Sequence, residues 1–414
     1  MRLNRITTTF LKILYPWFPL WAFISIYVLN MSFNKVLIFP AIIITIYILI
    51  SKKIIDVPLY LKFLILFALY HLLSSIYFQT IPDNTNILFY TLSDFSVLSC
   101  FLIFIVQNTS IDKTTITYFN RNIVYVIILS FIVSLIQIKY NDFFVSTAIE
   151  EGTIIKIEQR LPSIYSWYDQ NSIGITFPIL VSLALSTIGK QQKIKQGITL
   201  LSLLAVSFLS KARYIMISGV IVFSQLLLLK KYSIKRKVLF IAISIFVVII
   251  GIKMADIFDY SIQDTVQERI LEGGEGYGSA LARVKSFEVF LYAFPTNPWF
   301  GVGPSTRDDV KSLLGEGIPI IHVGYLSYLY YYGILGSFLF FACIIILLRK
   351  AYIIGRRFEF WGVLFGLITF CIANATTVYF NLSEPGIILA IIYLQYYTTQ
   401  ICMKKEDTRN NHIE

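Results

Sequence analysis

NPWFGVGPSTRDDVKSLLGEGIPIIHVGYLSYLYYYGILG, Asn297–Gly336, is a turn-rich, partly charged stretch in a chain that is otherwise almost wholly apolar. It carries His322, one of three histidines, where an apolar helical pattern resumes. A glycine-proline turn, a charged loop and a returning apolar helix together describe an excursion between two membrane-spanning helices. The rest of the chain supports this. Hydrophobic residues make up 57% of the 414 and charged ones only 14%, which excludes an ordinary soluble enzyme or a disordered chain.

Working outward from that stretch, apolar runs of bilayer-spanning length predict about 12 spans. Their extents are 13–32, 36–51, 57–78, 87–106, 122–138, 171–188, 196–210, 213–229, 238–255, 321–348, 359–380 and 385–402. The expected fold is an all-α polytopic membrane protein, a single integral domain over 1–414. Arg2, Arg5 and Lys12 precede a long apolar run with no small-residue cleavage site, so the first span is expected to stay in place.

The basic clusters set the orientation. Lys52 and Lys53, Lys190 to Lys195, Lys230 to Lys237, Arg349 to Arg357, and Lys404 to Arg409 each follow an even-numbered span. The positive-inside rule then puts both termini in the cytoplasm. The net charge of +11 is mostly this topology signal, and no nucleic-acid partner is needed to explain it. Two outer loops are long, 139–170 and 256–320. The short basic turns on the other face carry no phosphate-binding glycine loop, so any chemistry belongs to the outer side. Cys100, Cys343, Cys371 and Cys402 lie in or at the ends of apolar runs, without metal-ligand spacing. No metal or cofactor is expected.

Three residues carry the sharpest chemistry. Arg213, in SKARYIMIS, is either a snorkelling interfacial arginine or a clamp for a phosphate at the membrane surface. Arg283 shares a helical face with Phe287, Phe290, Leu291 and Phe294, which a surface helix would bury. A charge on that stripe needs a partner, either a carboxylate such as Glu272 or Glu275 or an anionic substrate. His322 at the outer boundary is either a satisfied interfacial histidine or a general base. His71, mid-span, reads as an inter-helix hydrogen bonder, and His412 lies in the polar tail. Trp299 and the tyrosines at 325–332 suit either an aromatic belt or stacking on sugar rings.

These motifs resemble the O-antigen ligase and O-antigen polymerase superfamily of bacterial surface-polysaccharide enzymes. SWYDQNSIG is similar to the family's Asn segment, with Asn171 in the Asn place, and SKARYIMIS to its Ser-Arg segment, with Arg213 as the arginine. SALARVKSFEVFLYAFPTNPWFGVGPST resembles the helix with the second arginine, here Arg283, leading into Asn-Pro-x-x-Gly-x-Gly with Gly301 and Gly303. HVGYLSYLYYYGILG resembles the His-x-x-Tyr segment, with His322 and Tyr325. Two departures mark a divergent branch: Val323 follows the histidine where the family often has Asn, and Lys211 and Ala212 separate the serine from Arg213.

The resemblance implies a GT-C-like architecture in the bacterial inner membrane and metal-independent glycosyl transfer at its outer face. The implied donor is an undecaprenyl-pyrophosphate-linked glycan. Arg213 and Arg283 would hold the pyrophosphate, and His322 would take the proton of an acceptor sugar hydroxyl. A polymerase of repeat units for O-antigen, capsule or exopolysaccharide is the expected activity. The alternatives are a ligase acting on lipid A-core and a flippase for lipid-linked sugars. Membrane lipid, a separate flippase and a chain-length regulator are the implied partners.

Overall fold

The computed structural model describes residues 2–29, 31, 33–78, 95–140, 163–165, 172–187, 193–209, 213–228, 233–235, 238, 242, 276–304, 321, 323–375 and 380–410. Some side chains within these ranges, those of Arg213 and Arg283 among them, lie outside the description. The described secondary structure is helical. In chain order the α-helices are α1 Arg2–Leu14, α2 Phe18–Tyr27, α3 Phe33–Ser51, α4 Leu59–Tyr77, α5 Phe95–Gln107, α6 Lys113–Lys139, α7 Ser172–Thr187, α8 Lys193–Leu209, α9 Arg213–Leu228, α10 Gly276–Ala293, α11 Gly324–Phe358, α12 Gly362–Ala373 and α13 Pro385–Asn410.

Two helices form the centre. On α7, Phe177, Ile179, Leu180, Val181 and Leu183 are all fully buried, as are Ile387 to Tyr393 on α13. A helix apolar all round belongs inside a bundle. Small residues let α12 come close to α7: a Cβ on Gly362 would stand 2.7 Å from the Ser182 carbonyl oxygen. α6, α8, α9 and α12 pack around α7, while α4 packs along α11 and α3 along α5. The outer surface is apolar too. Ile43, Ile46 and Ile50 on α3, and Leu66, Leu69 and Leu73 on α4, are exposed as residues facing lipid tails would be.

Four described helices, α3, α4, α6 and α11, have the length and hydropathy of a membrane span, and five apolar helices are shorter. The chain is thus a multi-pass membrane protein by its helices, while the count of about 12 and the GT-C-like architecture reach beyond what these helices display. The expected span 238–255 and most of the two long loops lie outside the described residues. The expected span 13–32 takes a different form. α1 begins at Arg2 and stops at Leu14, ahead of Pro16, and α2 starts afresh at Phe18 with Pro19 in its first turn. Proline lacks the N–H that would continue the ladder and is tolerated in a first turn.

The turns after α3 and α5 meet the N-terminus at one end of the bundle. Asn108 accepts from Asp56 N at 3.0 Å and from Lys52 Nζ at 3.4 Å, and Asn4 Oδ1 accepts from Ser110 N at 2.7 Å. Lys350 also lies at this end, with its Nζ 4.8 Å from the Tyr60 ring centroid. Basic segments that the charge pattern assigns to one face therefore come together. In the loop expected at 139–170, the described turn Ser163–Tyr165 is buried. Ser163 N donates to Gln137 Oε1 at 2.8 Å and Ser163 Oγ to the Ser130 carbonyl at 2.6 Å. Its backbone is satisfied by α6 side chains, as a non-helical turn inside a bundle requires.

Candidate active site at one end of the bundle

The stretch NPWFGVG forms a plug in a broken helix. α11 is interrupted at Gly333, where φ is 61° and ψ is −167°, a backbone region almost confined to glycine. Across an unbroken helix Ile334 N would pair with Tyr330 O and Leu335 N with Tyr331 O. Here all four groups bond the turn instead. Ile334 N donates to Pro298 O at 2.8 Å and Leu335 N to Trp299 O at 3.1 Å. Val302 N donates to Tyr330 O at 3.1 Å and Gly303 N to Tyr331 O at 2.9 Å. The Tyr70 hydroxyl reaches the next freed carbonyl, Tyr332 O, at 3.0 Å and Phe300 O at 2.8 Å. The helix break therefore leaves these groups paired, and the turn is held by four backbone bonds with the Tyr70 hydroxyl beside them.

The glycines follow from that contact. Gly301 has φ 73°, and a Cβ there would lie 2.5 Å from the Tyr331 carbonyl carbon and 2.6 Å from Gly333 N. A Cβ on Gly333 would lie 2.5 Å from both the carbonyl carbon and oxygen of Trp299. Neither backbone can give way to a side chain. Gly303, at φ 80°, abuts the Phe78 side chain at the end of α4.

The start of α11 is fixed by α12. Gly324 N donates to the Asn374 carbonyl at 3.1 Å, and the Tyr325 hydroxyl donates to the Cys371 carbonyl at 2.9 Å. Tyr325, Tyr328 and Tyr332 pack with Phe67, Phe340, Phe341 and Phe380 in one aromatic cluster. These tyrosines build the core. Trp299 and Phe300, more than half exposed, are the aromatics free to meet a ligand or lipid. His71 Nδ1 lies 2.7 Å from the Tyr332 hydroxyl, the inter-helix bond its mid-span position predicts.

α10 docks on the same unit. Val289 and Phe290 pack against Ile321 and Tyr330, as does Val302 of the turn. Ser286 is fully buried, while Phe287 is 50% and Leu291 57% exposed. The expected buried stripe of Phe287, Phe290, Leu291 and Phe294 is therefore corrected: the buried face is turned toward Ser286 and Val289. In an apolar surrounding, Phe287 and Leu291 gain nothing by facing inward.

The candidate residues divide as follows. Arg283 lies on α10, and Gly301, Gly303 and Tyr325 belong to the turn-and-break unit. His322 lies outside the described residues, between Ile321, which packs on α10, and Val323, which caps α11. Asn171 lies outside them too, immediately before α7, and Arg213 is the first residue of α9. Glu272 and Glu275 are likewise outside. Helix order brings the starts of α7, α9 and α11 to one end. Ser182 of α7 bonds Gln225 of α9 at 2.6 Å and the Gly362 carbonyl at 2.9 Å. α8 connects α7 and α9 through short links, so those two run parallel and start at the same end. From Gly362 beside Ser182 to Gly366 beside Ile179, α12 runs opposite to α7, and its last turn meets the start of α11.

One residue at that end escapes the sequence reading. Glu384 is 2% exposed and accepts from Thr176 Oγ1 at 3.2 Å, just before α13. A carboxylate in YFNLSEPGIILA, between two apolar spans, is itself the signal that was available.

No curated protein matches the chain. Residues 198–341 match the O-antigen ligase family, a segment that holds Arg213, Arg283, Gly301, Gly303, His322 and Tyr325 and leaves Asn171 outside, and this match supports the likeness to the O-antigen ligase and polymerase superfamily.

Proposed function

We propose that this protein is a membrane glycosyltransferase that joins glycan repeat units, taking the growing glycan from a polyprenyl pyrophosphate and passing it to a sugar hydroxyl of a second lipid-linked unit. One observation carries the reading: the Asn297–Gly303 turn locks into the Gly333 break, inside the segment that matches the O-antigen ligase family. That interlock supports a preorganised site, because α10 with Arg283 and the start of α11 beside His322 are braced by one backbone framework.

In the proposed reaction Arg213 and Arg283 hold the pyrophosphate. They offset the charge that grows on it as the sugar–phosphate bond breaks. His322 accepts the hydroxyl proton as the new glycosidic bond forms. The bond energy resides in the donor, so no nucleotide is consumed. The second reading, transfer to lipid A-core, has the family description itself in its favour. The flippase alternative of the sequence reading gains no support.

The test uses the purified chain with lipid-linked repeat units, with and without EDTA, and gel analysis of glycan length. His322→Ala should slow elongation by about two to four orders of magnitude, the usual contribution of acid–base catalysis, while the donor still binds. Elongation at the parental rate by that variant removes the base. Products formed only when lipid A-core is supplied turn the reading to a ligase.

A further inference from the structure

The end of the bundle that gathers the basic turns holds a polar cleft, at the opposite end of α11 from the Gly333 break. It has a volume of about 650 Å³ and is lined by Arg2, Asn4, Arg5, Thr8, Thr9 and Lys12 of α1 with Ser110, Asp112 and Thr115 at the start of α6. We infer that this cleft binds a phosphate-bearing group, with an anionic membrane-lipid headgroup as the favoured source. The site is separate from the proposed transfer reaction.

The walls of the cleft are built rather than incidental. Asn4 Oδ1 accepts from Ser110 N at 2.7 Å, the Tyr118 hydroxyl donates to the Lys12 carbonyl at 2.9 Å, and Trp21 Nε1 donates to the Ile13 carbonyl at 2.8 Å. α1 is thus pinned near both ends, alongside the first two turns of α6. Its polar residues 2, 5, 9 and 12 repeat at three- and four-residue intervals and so share one face.

The charge balance favours an anion. Three cations face one carboxylate in the lining, so the cleft keeps a positive balance even with Lys12 acting electrostatically on Asp112. The one acid is already engaged: Asp112 Oδ1 accepts from Thr115 N and Oδ2 from Thr114 Oγ1, both at 2.8 Å. Thr9, exposed on the same face as Arg2, Arg5 and Lys12, adds a hydroxyl to the lining. Arginine forks and hydroxyls are the groups that suit phosphate oxygens. The volume matches a headgroup-sized ligand. Ile6 and Ile13, 42% and 51% exposed on the flank of the same helix, supply the apolar border that a lipid needs and a soluble phosphate does not.

The experiment is native mass spectrometry of the full-length protein released from detergent. The probes are dioleoylphosphatidylglycerol, dioleoylphosphatidylcholine and inorganic pyrophosphate. The parent should retain phosphatidylglycerol at least about ten-fold more tightly than phosphatidylcholine, and the double variant Arg5→Gln, Lys12→Gln should lose that preference. The charge-keeping exchange Lys12→Arg should preserve it. Unchanged thermal unfolding of the lipid-free double variant certifies its fold. Should it not fold, the single variant Arg5→Gln takes its place, with a loss of several-fold in phosphatidylglycerol retention expected. Pyrophosphate binding that depends on Arg5 and Lys12, without phosphatidylglycerol preference, keeps the phosphate site and assigns a soluble source. Equal retention of both lipids, or a preference that the variants leave intact, overturns the inference.

Discussion

Replacing Gly333 by alanine tests whether the turn and the helix break depend on each other. The substitution adds one methyl group where φ is 61° and ψ is −167°, and that methyl would sit 2.5 Å from the Trp299 carbonyl. Backbone strain of this kind costs about 1–3 kcal/mol. The overlap with Trp299 cannot be relieved by a rotamer change, because the opposing atoms are main chain. The chain has an alternative: α11 straightens, Ile334 N re-pairs with Tyr330 O, and the turn is expelled. Expulsion forfeits the four backbone bonds of Pro298, Trp299, Val302 and Gly303, worth about 1 kcal/mol each, and recovers two within the helix. Expulsion costs about 2 kcal/mol in parent and variant alike, so the strain of the closed form is what favours opening, by about 1–3 kcal/mol, and amide exchange across 297–304 should accelerate about 5- to 150-fold. Glycan elongation should fall with it. Exchange far away, in α13, should change little. Gly197→Ala on α8 is the control, since nothing lies within 4 Å of its added Cβ. If Gly333→Ala keeps parental exchange in the turn and parental activity, the interlock does not hold the site.

The remaining expectations concern individual contacts. Arg213→Lys and Arg283→Lys should each lose most elongation at normal protein abundance, because charge survives but the guanidinium fork does not; parental activity in both restores the snorkelling account. Tyr332→Phe removes the hydroxyl 2.7 Å from His71 Nδ1 and should lower stability by about 1–3 kcal/mol, read as a fall in the thermal midpoint in detergent. Asp112 caps α6, and hydrogen bonding from Thr115, with smaller help from Thr114 and Lys12, holds its pKa below 3.8 against the opposing effect of desolvation. A folded pKa below the unfolded one contributes stability that is full above the unfolded value and is lost as pH falls through the folded one. Asp112→Asn should therefore unfold at a lower temperature than the parent at pH 7, and the gap should close below about pH 4; a constant gap would refute the linkage.

Much of the fold is legible because a bilayer leaves the chain few choices. Apolar runs locate α3, α4, α6 and α11, and the basic clusters foretell that the N-terminus and the segments around Lys52 and Lys350 share one end. The interlock at Gly333 is not legible. The glycines and Pro298 announce a turn, but its partner is the main chain of a helix some 30 residues on, and periodicity carries no signal for backbone meeting backbone. The stripe on α10 fails for a different reason. Amphipathic reading assumes water outside, and a helix beside lipid can leave Phe287 and Leu291 exposed without penalty. Pro16, by contrast, stands openly inside the first apolar run, a break that run length alone does not register. Glu384 sits in a short link between two apolar runs, where a carboxylate stands out only against the hydrophobic residues on either side.

The two ends of the bundle use their polar residues in opposite ways, and this bears on where chemistry belongs. At the basic end, side chains do the bracing: Asn4, Asn108, Asp112 and Tyr118 each hold a neighbouring backbone group. At the other end, main chain braces main chain, with the Tyr70 and Tyr325 hydroxyls beside it. Pro298 to Gly303 fill the break in α11, and the Asn374 carbonyl caps its start at Gly324. α11 is therefore fixed at two points nine residues apart, about 14 Å along its axis. A framework closed by backbone leaves side chains of the surrounding segments uncommitted, and groups that must meet a pyrophosphate or accept a proton have to be uncommitted. Arg283 on α10 and His322 before α11 flank this framework in sequence, and a site that depended on side-chain bracing would have less to spare for a substrate.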